Sequence, residues 1–378
     1  MLALLSRIPY IPSPIRFGMY ASAMVCNAPG VVLLGQIFSY AFTRTLLGHL
    51  LGAALTTILA EPVLRWIERP KRRVPQPENS AQLVTRRALL LAGGGLTLGT
   101  TVGGYSYFIE RKNFQFQPYR LYLPQLPPKL TGLRVALVAD MHCGPVNRPQ
   151  DLLPALQMIQ KYKPDIILIP GDFVHLAEKY FSEAAELLAT LRPTIPGAIF
   201  VSWGNHDHWN RVDRGARELV EAGCRPLIQK HLIVSPGRTL ETRGPGLCIA
   251  GIDDLWEGNP ELKLALKRVA PDQPRIVLCH NPDVAELQHG PRVDLMVSGH
   301  THGGQVRIPL VGTPVLPSRY GQKYASGIVK GPHYPVYVTR GLGVGGIPVR
   351  LGVPPEVTFF ELHPGPDRVR LNSVEYFS

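Results

Sequence analysis

The sequence predicts an α/β domain preceded by a hydrophobic, membrane-spanning N-terminal region. Between residues 133 and 298, short runs rich in Val, Ile and Leu alternate with helical patterns, which is typical of α/β folds. Three long apolar stretches precede the first of these runs. Each is about long enough for a helix to cross the ~30 Å hydrocarbon core of a bilayer.

Five apolar runs predict buried strands, and each is closed by Gly or by a residue type that binds metals: 133–139, 165–170, 197–203, 275–279 and 293–298. Patterns of helical period lie between them, at 151–162, 182–191, 214–222 and 260–269. After Gln305, Gly and Pro punctuate shorter runs such as 336–339 and 357–361, which predict additional, more antiparallel strands.

Polar motifs follow the five predicted strands in a fixed order. They are Asp140-Met141-His142, Gly171-Asp172, Gly204-Asn205-His206-Asp207, His280 and Gly299-His300-Thr301-His302. Open α/β sheets build their sites at the carboxyl ends of strands, so we expect these motifs to meet. A lone Asp there is often a helix cap and a lone His often a core group. The complete set, however, offers the carboxylate, amide and imidazole donors that suit a pair of borderline divalent metals.

The ordered motifs resemble those of the calcineurin-like metallophosphoesterases, with a similar tail to about residue 362. The stretch from Gly299 to Gln305 is most similar to the membrane-associated phosphodiesterases of the YkuE/YaeI type. The resemblance implies a four-layer αββα sandwich over residues 113–378. The apolar stretches within residues 17–67 are not part of that family pattern.

The resemblance also implies the roles of the motif residues, with two divalent metal ions (Mn, Fe or Zn) as cofactors. Asp172 would bridge the two metals. The first metal would also be held by Asp140, His142 and His302, and the second by Asn205, His280 and His300. The bridging hydroxide between such metals attacks the phosphate ester. His206 would protonate the leaving alkoxide as general acid, and Asp207 would orient His206.

Four further polar residues lie near the motifs. For His175 and His208, exposed loop polarity is favoured over substrate contact. Arg340 and Arg350 flank the glycine-rich segment 341–346, where a turn with solvated charges is favoured over a phosphate clamp.

The N-terminal part divides into three predicted segments. Residues 1–69 form a hydrophobic region with two predicted spans, 17–42 and 45–66, and residues 88–110 form a transmembrane or signal-anchor helix. Residues 70–87 form a basic polar linker. Because basic residues cluster between Arg65 and Arg87, the positive-inside rule places residues 113 onward outside the cytoplasm.

The linker ends in a motif, Thr85-Arg86-Arg87-Ala88, that resembles a twin-arginine export signal. This interpretation makes the Tat export machinery a partner. Ordinary charges flanking an apolar helix are the alternative.

Charge and cysteine content bound the function further. Of the net charge of +12, +8 lies in residues 1–112, and the rest has no basic stripe with interleaved aromatics. We therefore expect no nucleic-acid partner. The five cysteines have no Cys-x-x-Cys spacing and are expected to be buried small residues: Cys26, Cys143, Cys224, Cys248 and Cys279.

These observations predict a membrane-anchored, dinuclear-metal phosphoesterase, most simply a phosphodiesterase acting on a lipid-linked or envelope phosphate. One alternative is a UDP-2,3-diacylglucosamine-type pyrophosphate hydrolase, which needs a site facing the cytoplasm. Another is a non-catalytic metal-binding membrane scaffold, which the complete set of ligand residues disfavours.

Overall fold

The computed structural model describes residues 93–95, 97–365 and 370–373. The chain divides into two compact units, Met1–Gly103 and Gly104–Ser378. Within the described residues, none of the helices is both long and apolar enough to cross a bilayer. The predicted spans at 17–42 and 45–66 lie outside the described residues, and the third lies partly outside them.

The second unit contains two sheets of seven strands. The first sheet has the order β14-β1-β13-β2-β3-β4-β5, with β1 Gln115–Pro124, β2 Leu133–Leu137, β3 Ile166–Pro170, β4 Ile199–Ser202, β5 Cys224–Pro226, β13 Glu356–Gly365 and β14 Arg370–Ser373. Strands β2 to β5 run parallel. Strand β13 pairs antiparallel with β2 and parallel with β1.

The second sheet has the order β11-β12-β10-β9-β8-β6-β7, with β6 Lys230–Val234, β7 Leu240–Glu241, β8 Leu247–Gly251, β9 Arg275–Leu278, β10 Leu295–Ser298, β11 Gly327–Lys330 and β12 Pro335–Val338. Strands β8, β9, β10 and β12 run parallel, while β6, β7 and β11 pair antiparallel. The strands after Gln305 are therefore only partly antiparallel, because β12 and β13 also pair parallel inside their sheets.

The described helices that cover or join these strands are α1 Pro149–Tyr162, α2 Tyr180–Leu188, α3 Asn205–Trp209, α4 Val212–Glu221, α5 Leu262–Ala265 and α6 Val284–Leu287. One apolar cluster unites α1, α2 and α4 with one face of the first sheet. A second cluster joins the facing sides of the two sheets, and a third joins α5 and α6 to the outer face of the second sheet. The order of layers is helix, sheet, sheet, helix, and the predicted mixed α/β class is confirmed.

The helix predicted over 260–269 is the clearest error in the secondary structure. Only Leu262–Ala265 is helical, since Glu261 has φ −124° and Arg268 has φ +71°, both outside helical geometry. Leu262, Ala265 and Leu266 are buried whereas Leu264 is 46% exposed, so a single turn already buries three of the apolar residues in this range. The four cysteines within the described residues are free and buried, as predicted: Cys143, Cys224, Cys248 and Cys279.

Candidate metal centre

The predicted motifs meet where the carboxyl ends of the two sheets come together. Asp140 follows β2, Asp172 follows β3, and Asn205 opens α3 after β4, whereas His280 follows β9 and His300 follows β10. Asp172 Oδ2 of the first sheet lies 3.1 Å from His280 Nε2 of the second. All seven predicted ligand side chains are buried, including His142 and His302. The structure thus brings them together, and their ligand roles remain predictions.

Much of this site is built on backbone that L-residues adopt only rarely. Five of the seven residues have left-handed φ angles between +46° and +69°: Asp140, His142, Asp172, His300 and His302. Such conformations cost on the order of 1 kcal/mol or more each, and they persist when surrounding structure enforces them. Their concentration here indicates that the side chains are held for a function.

Two glycines make room for the carboxylates. A Cβ on Gly204 would lie 2.2 Å from Asp172 Oδ1, and one on Gly299 would lie 2.3 Å from Asp140 Oδ2. Any side chain at these positions would therefore displace a carboxylate, which explains the glycine in both motifs.

A first set of donor atoms surrounds His142. Its Nε2 lies 3.0 Å from His302 Nε2 and 3.4 Å from Asp172 Oδ2. Asp140 Oδ1 lies 3.6 Å from His302 Nε2, while Asp140 Oδ2 is buried without a hydrogen-bond partner. These are the four residues predicted for the first metal.

A second set continues from the same Asp172 oxygen. His280 Nε2 lies 3.1 Å from Asp172 Oδ2 and 3.2 Å from His300 Nδ1, which lies 3.0 Å from Asn205 Oδ1. His280 Nδ1 is 2.8 Å from the Pro170 carbonyl oxygen, and this contact fixes the tautomer that leaves Nε2 free to bind a metal. These are the residues predicted for the second metal, with Asp172 Oδ2 common to both sets.

The donor chemistry fits a pair of divalent cations. Lone pairs of carboxylate, amide and imidazole face one another at 3.0–3.6 Å, and the orphaned Asp140 oxygen lies among them. Three groups of possible metal-binding side chains overlap here: Asp140, His142 and His302; Asp140, Asp172 and His280; and His142, His175 and His206. Imidazole and carboxylate together suit Zn, Fe or Mn.

The buried charges interact strongly. Burial and the neighbouring Asp172 raise the pKa of Asp140 to about 7. Burial opposes ionisation of Asp172 as well, but His280 and His142 hold its pKa well below the usual value. Burial disfavours the charged form of His280, but Asp172 outweighs it and raises the pKa of His280 to about 10. Burial and the neighbouring His280 together lower the pKa of His300 to about 3.

His206 lies beside the first set of donors. Its ring centroid is 4.6 Å from that of His142, and its Nδ1 is 3.0 Å from His175 Nδ1. The backbone N–H of His206 donates to Asp172 Oδ1 at 2.9 Å. His175 is buried, so its assignment to exposed loop polarity was wrong.

Asp207 differs from its predicted role. Its carboxylate accepts hydrogen bonds from the backbone N–H groups of Asp172 and Phe173, both at 2.8 Å, and of Gly204 at 2.9 Å. It therefore orients the loops after β3 and β4 and not the ring of His206. Burial raises its pKa to about 7, against the effect of the N–H donors.

The glycine-rich segment 341–346 belongs to the site, which sequence reasoning missed. A Cβ on Gly345 would lie 3.2 Å from His302 Nε2 and 3.3 Å from His142 Nε2. Arg350 is fully buried and donates to the carbonyl oxygens of Gly343 at 2.6 Å and Arg340 at 2.7 Å. Arg350 is thus neither a solvated charge nor a phosphate clamp, but organises this segment. The repeated glycines were the available signal.

Several known proteins are similar in sequence to this chain. The calcineurin-like phosphoesterase family model matches residues 133–304. The chain is 30% identical over 277 residues to the metallophosphoesterase YkuE of Bacillus subtilis (strain 168), covering 72% of this chain and 93% of the relative. It is 33% identical over 290 residues to the phosphodiesterase YaeI of Escherichia coli (strain K12), covering 74% and 100%.

A third relative is a Danio rerio protein named transmembrane protein with metallophosphoesterase domain. It is 33% identical over 246 residues, which cover 62% of this chain and 54% of the relative.

Proposed function

The chain belongs to the calcineurin-like metallophosphoesterase family, and on that premise we propose that it is a membrane-anchored phosphodiesterase with two divalent metal ions. The observation that carries the proposal is the position of Asp172 Oδ2, within 3.4 Å of His142 Nε2 and 3.1 Å of His280 Nε2. One carboxylate oxygen can therefore serve two donor sets. Bound there, two metals would neutralise the phosphate and lower the pKa of a water between them.

The side chains around the donors have separate tasks in this proposal. Asn205 offers a neutral amide oxygen, so the second donor set adds no further anion and the loaded site can accept a phosphodiester. His206 donates a proton to the leaving alkoxide. Burial lowers its pKa below the ordinary value, which makes the protonated ring a stronger acid but reduces the fraction of the ring that is protonated at neutral pH. His175 holds the His206 ring through the contact between their Nδ1 atoms.

Two features support the choice of a membrane-bound phosphodiesterase. The Escherichia coli relative is named a phosphodiesterase, and the Danio rerio relative is named a transmembrane protein. The catalytic unit also begins with exposed apolar side chains, since Tyr105, Phe108 and Ile109 are 43%, 70% and 57% exposed at the end of the third apolar stretch.

The first experiment is a substrate screen of the full chain loaded with Mn²⁺. Bis-p-nitrophenyl phosphate, p-nitrophenyl phosphate and a lipid pyrophosphate are compared with and without a chelator. We expect the diester to give the highest kcat/KM and the chelator to abolish the rate. Preference for the pyrophosphate would favour the pyrophosphate hydrolase, and hydrolysis of none would favour the scaffold.

The second experiment tests the side of the membrane. Protease added to intact spheroplasts should cut residues 113–378 if the basic cluster between Arg65 and Arg87 stays in the cytoplasm. Digestion only after lysis would reverse this topology and favour the cytoplasm-facing pyrophosphate hydrolase. A cytoplasmic protein measured in the same samples controls for lysis.

A further inference from the structure

Two exposed tryptophans lie directly against histidines of the site. Trp209 is 53% exposed, with its ring centroid 4.6 Å from that of His206. Trp256 is 43% exposed, with its centroid 4.3 Å from that of His300 at an interplanar angle of 89°. Tryptophan is highly buried on average, and the metal centre does not need these indoles as donors. Their exposed surface is therefore available to a ligand that enters the site.

The two indoles are held in place by contacts that join their segments. Trp209 ends α3, and Trp256 lies in the turn after β8. His208 Nε2 lies 2.9 Å from Asp253 Oδ1, which links the helix to that turn. Asp254 Oδ2 accepts the backbone N–H of Trp256 at 2.6 Å. The two segments that carry the tryptophans are thus joined to each other, which lowers the entropic cost of ordering them when a ligand binds.

A third exposed apolar side chain lies next in the chain to a residue of the site. Leu176 follows His175 in the chain and is 51% exposed, with a left-handed φ of +74°. His175 is the residue whose Nδ1 contacts His206. Exposed apolar residues therefore adjoin both His206 and His300, the residues predicted to act on the leaving group and on the second metal.

We propose that Trp209 and Trp256 form a hydrophobic subsite that binds an apolar group esterified to the phosphate. This inference rests on the proposed function and narrows its substrate class to amphiphilic phosphodiesters. The charged phosphate lies at the donor atoms, and the apolar substituent lies on the indole faces. An alkyl or acyl chain and a nucleobase share this chemistry, because both cover an aromatic face at the expense of water.

The test uses alkylphosphonates, which carry one apolar group and cannot be hydrolysed. Methyl-, butyl- and hexylphosphonate are measured as competitive inhibitors of bis-p-nitrophenyl phosphate hydrolysis by the full Mn²⁺-loaded chain. Half-burial of each methylene increases the affinity of the inhibitor about twofold. Hexylphosphonate should therefore inhibit roughly 10- to 30-fold more tightly than methylphosphonate. In Trp209→Ala and Trp256→Ala, the ratio of affinities between hexylphosphonate and methylphosphonate should fall below about threefold. Methylphosphonate itself should inhibit these variants as tightly as it inhibits the wild type.

A matched control is Ile328→Ala, which removes an apolar side chain of similar exposure, 47%, from the edge strand β11. It should keep the full dependence on chain length. Trp209→Phe and Trp256→Phe should restore most of it, because they return an apolar ring.

A second readout does not depend on turnover. Hexylphosphonate should change the tryptophan emission of the wild type, and each Trp→Phe variant should lose part of that change. Inhibition by thymidine 5′-phosphonate is measured as well, to identify which kind of apolar group the subsite binds. Tighter inhibition than by hexylphosphonate indicates a nucleobase, and weaker inhibition indicates a lipid chain.

Failure of the subsite and failure of the proposed function give different results. If the chain hydrolyses the diester but inhibition is independent of chain length and of both tryptophans, the subsite is wrong and the phosphodiesterase stands. If no phosphodiester is hydrolysed, the proposed function fails, and an unchanged emission with hexylphosphonate then removes the subsite as well.

Discussion

The two sheets bring different chemistry to the same place. Of the seven predicted ligands, the two carboxylates, the amide and one imidazole follow β2, β3 and β4, whereas the other three, all imidazoles, follow β9 and β10. Both carboxylates predicted to hold cations therefore lie on one sheet, and most of the imidazoles predicted to complete the coordination lie on the other. If two divalent cations bind as proposed, two carboxylates leave a net positive charge for an anionic substrate.

Asp172 contacts the predicted ligands of both sheets. Its Oδ2 faces His142 within its own sheet and His280 across the gap, at 3.4 and 3.1 Å. Its Oδ1 accepts the backbone N–H of His206, and its own N–H donates to Asp207. Both oxygens of the carboxylate are thus held by contacts, and the position of Oδ2 sets the separation of the two donor sets.

The largest effect is expected from Asp172→Asn. Losing even an outer-shell partner typically costs about 10–100-fold in metal affinity, and this change weakens both donor sets at once. The rate on bis-p-nitrophenyl phosphate should therefore fall by at least about 10⁴-fold, and elemental analysis should find little metal. Asp213→Asn, at an exposed position of α4, is the control. Two metals per chain and a rate near wild type would show that Asp172 is not the bridge.

His206→Ala should separate chemistry from metal binding. A general acid contributes about 10²–10⁴-fold when the leaving group is a poor one, so the rate on an alkyl diester should drop by that factor. The rate on a nitrophenyl diester should drop far less, because nitrophenolate leaves without a proton. Metal content is measured on the same preparation. Equal losses on both substrates would make His206 a positioning residue, and loss of metal would make it a ligand.

Substitutions on the second sheet should split the two metals. His302→Ala removes a donor from the first set and His300→Ala from the second. Each should therefore lower the affinity for one metal by about 100-fold or more and leave the other within about threefold. Metal titration by calorimetry distinguishes one binding step from two. If both variants lost both metals alike, the two donor sets would not be independent.

The strand ends explain why so much of the site was predictable. A buried apolar run that stops at Asp140 or His280 gives both the element and the position of its side chain, and parallel strands bring such ends together. The Trp256–His300 contact was not predictable, because it joins two loops through packing. The role of Arg350 was missed because charged side chains are rarely fully buried. Asp207 was misassigned because its carboxylate bonds to backbone, which motif spacing does not reveal.

The smallest effect concerns the link between the tryptophan-bearing segments. The hydrogen bond to Asp253 raises the pKa of His208 above 6.5, and His208 helps to hold the pKa of Asp253 below 3.8 despite partial burial. The histidine's contribution to stability is full below pH 6.5 and is lost as pH rises through its folded pKa. The contribution of Asp253 to stability is full above pH 3.8 and is lost as the pH falls through its lowered folded pKa. The pair therefore stabilises the fold most between about pH 4 and 6.5.

Asp253→Asn should accordingly lower Tm more at pH 6 than at pH 9. Since both side chains are partly exposed, 23% and 17%, the pair contributes roughly 0.5 kcal/mol, or about 1–2 °C in Tm. Asp213→Asn breaks the exposed pair with Arg211, whose charge does not titrate in this range, so its effect should be the same at both pH values. A loss of Tm in Asp253→Asn that is equal at pH 6 and pH 9 would mean that Asp253 acts through its backbone contact with Asp254. The charge of His208 would then play no part in joining α3 to the Trp256 turn.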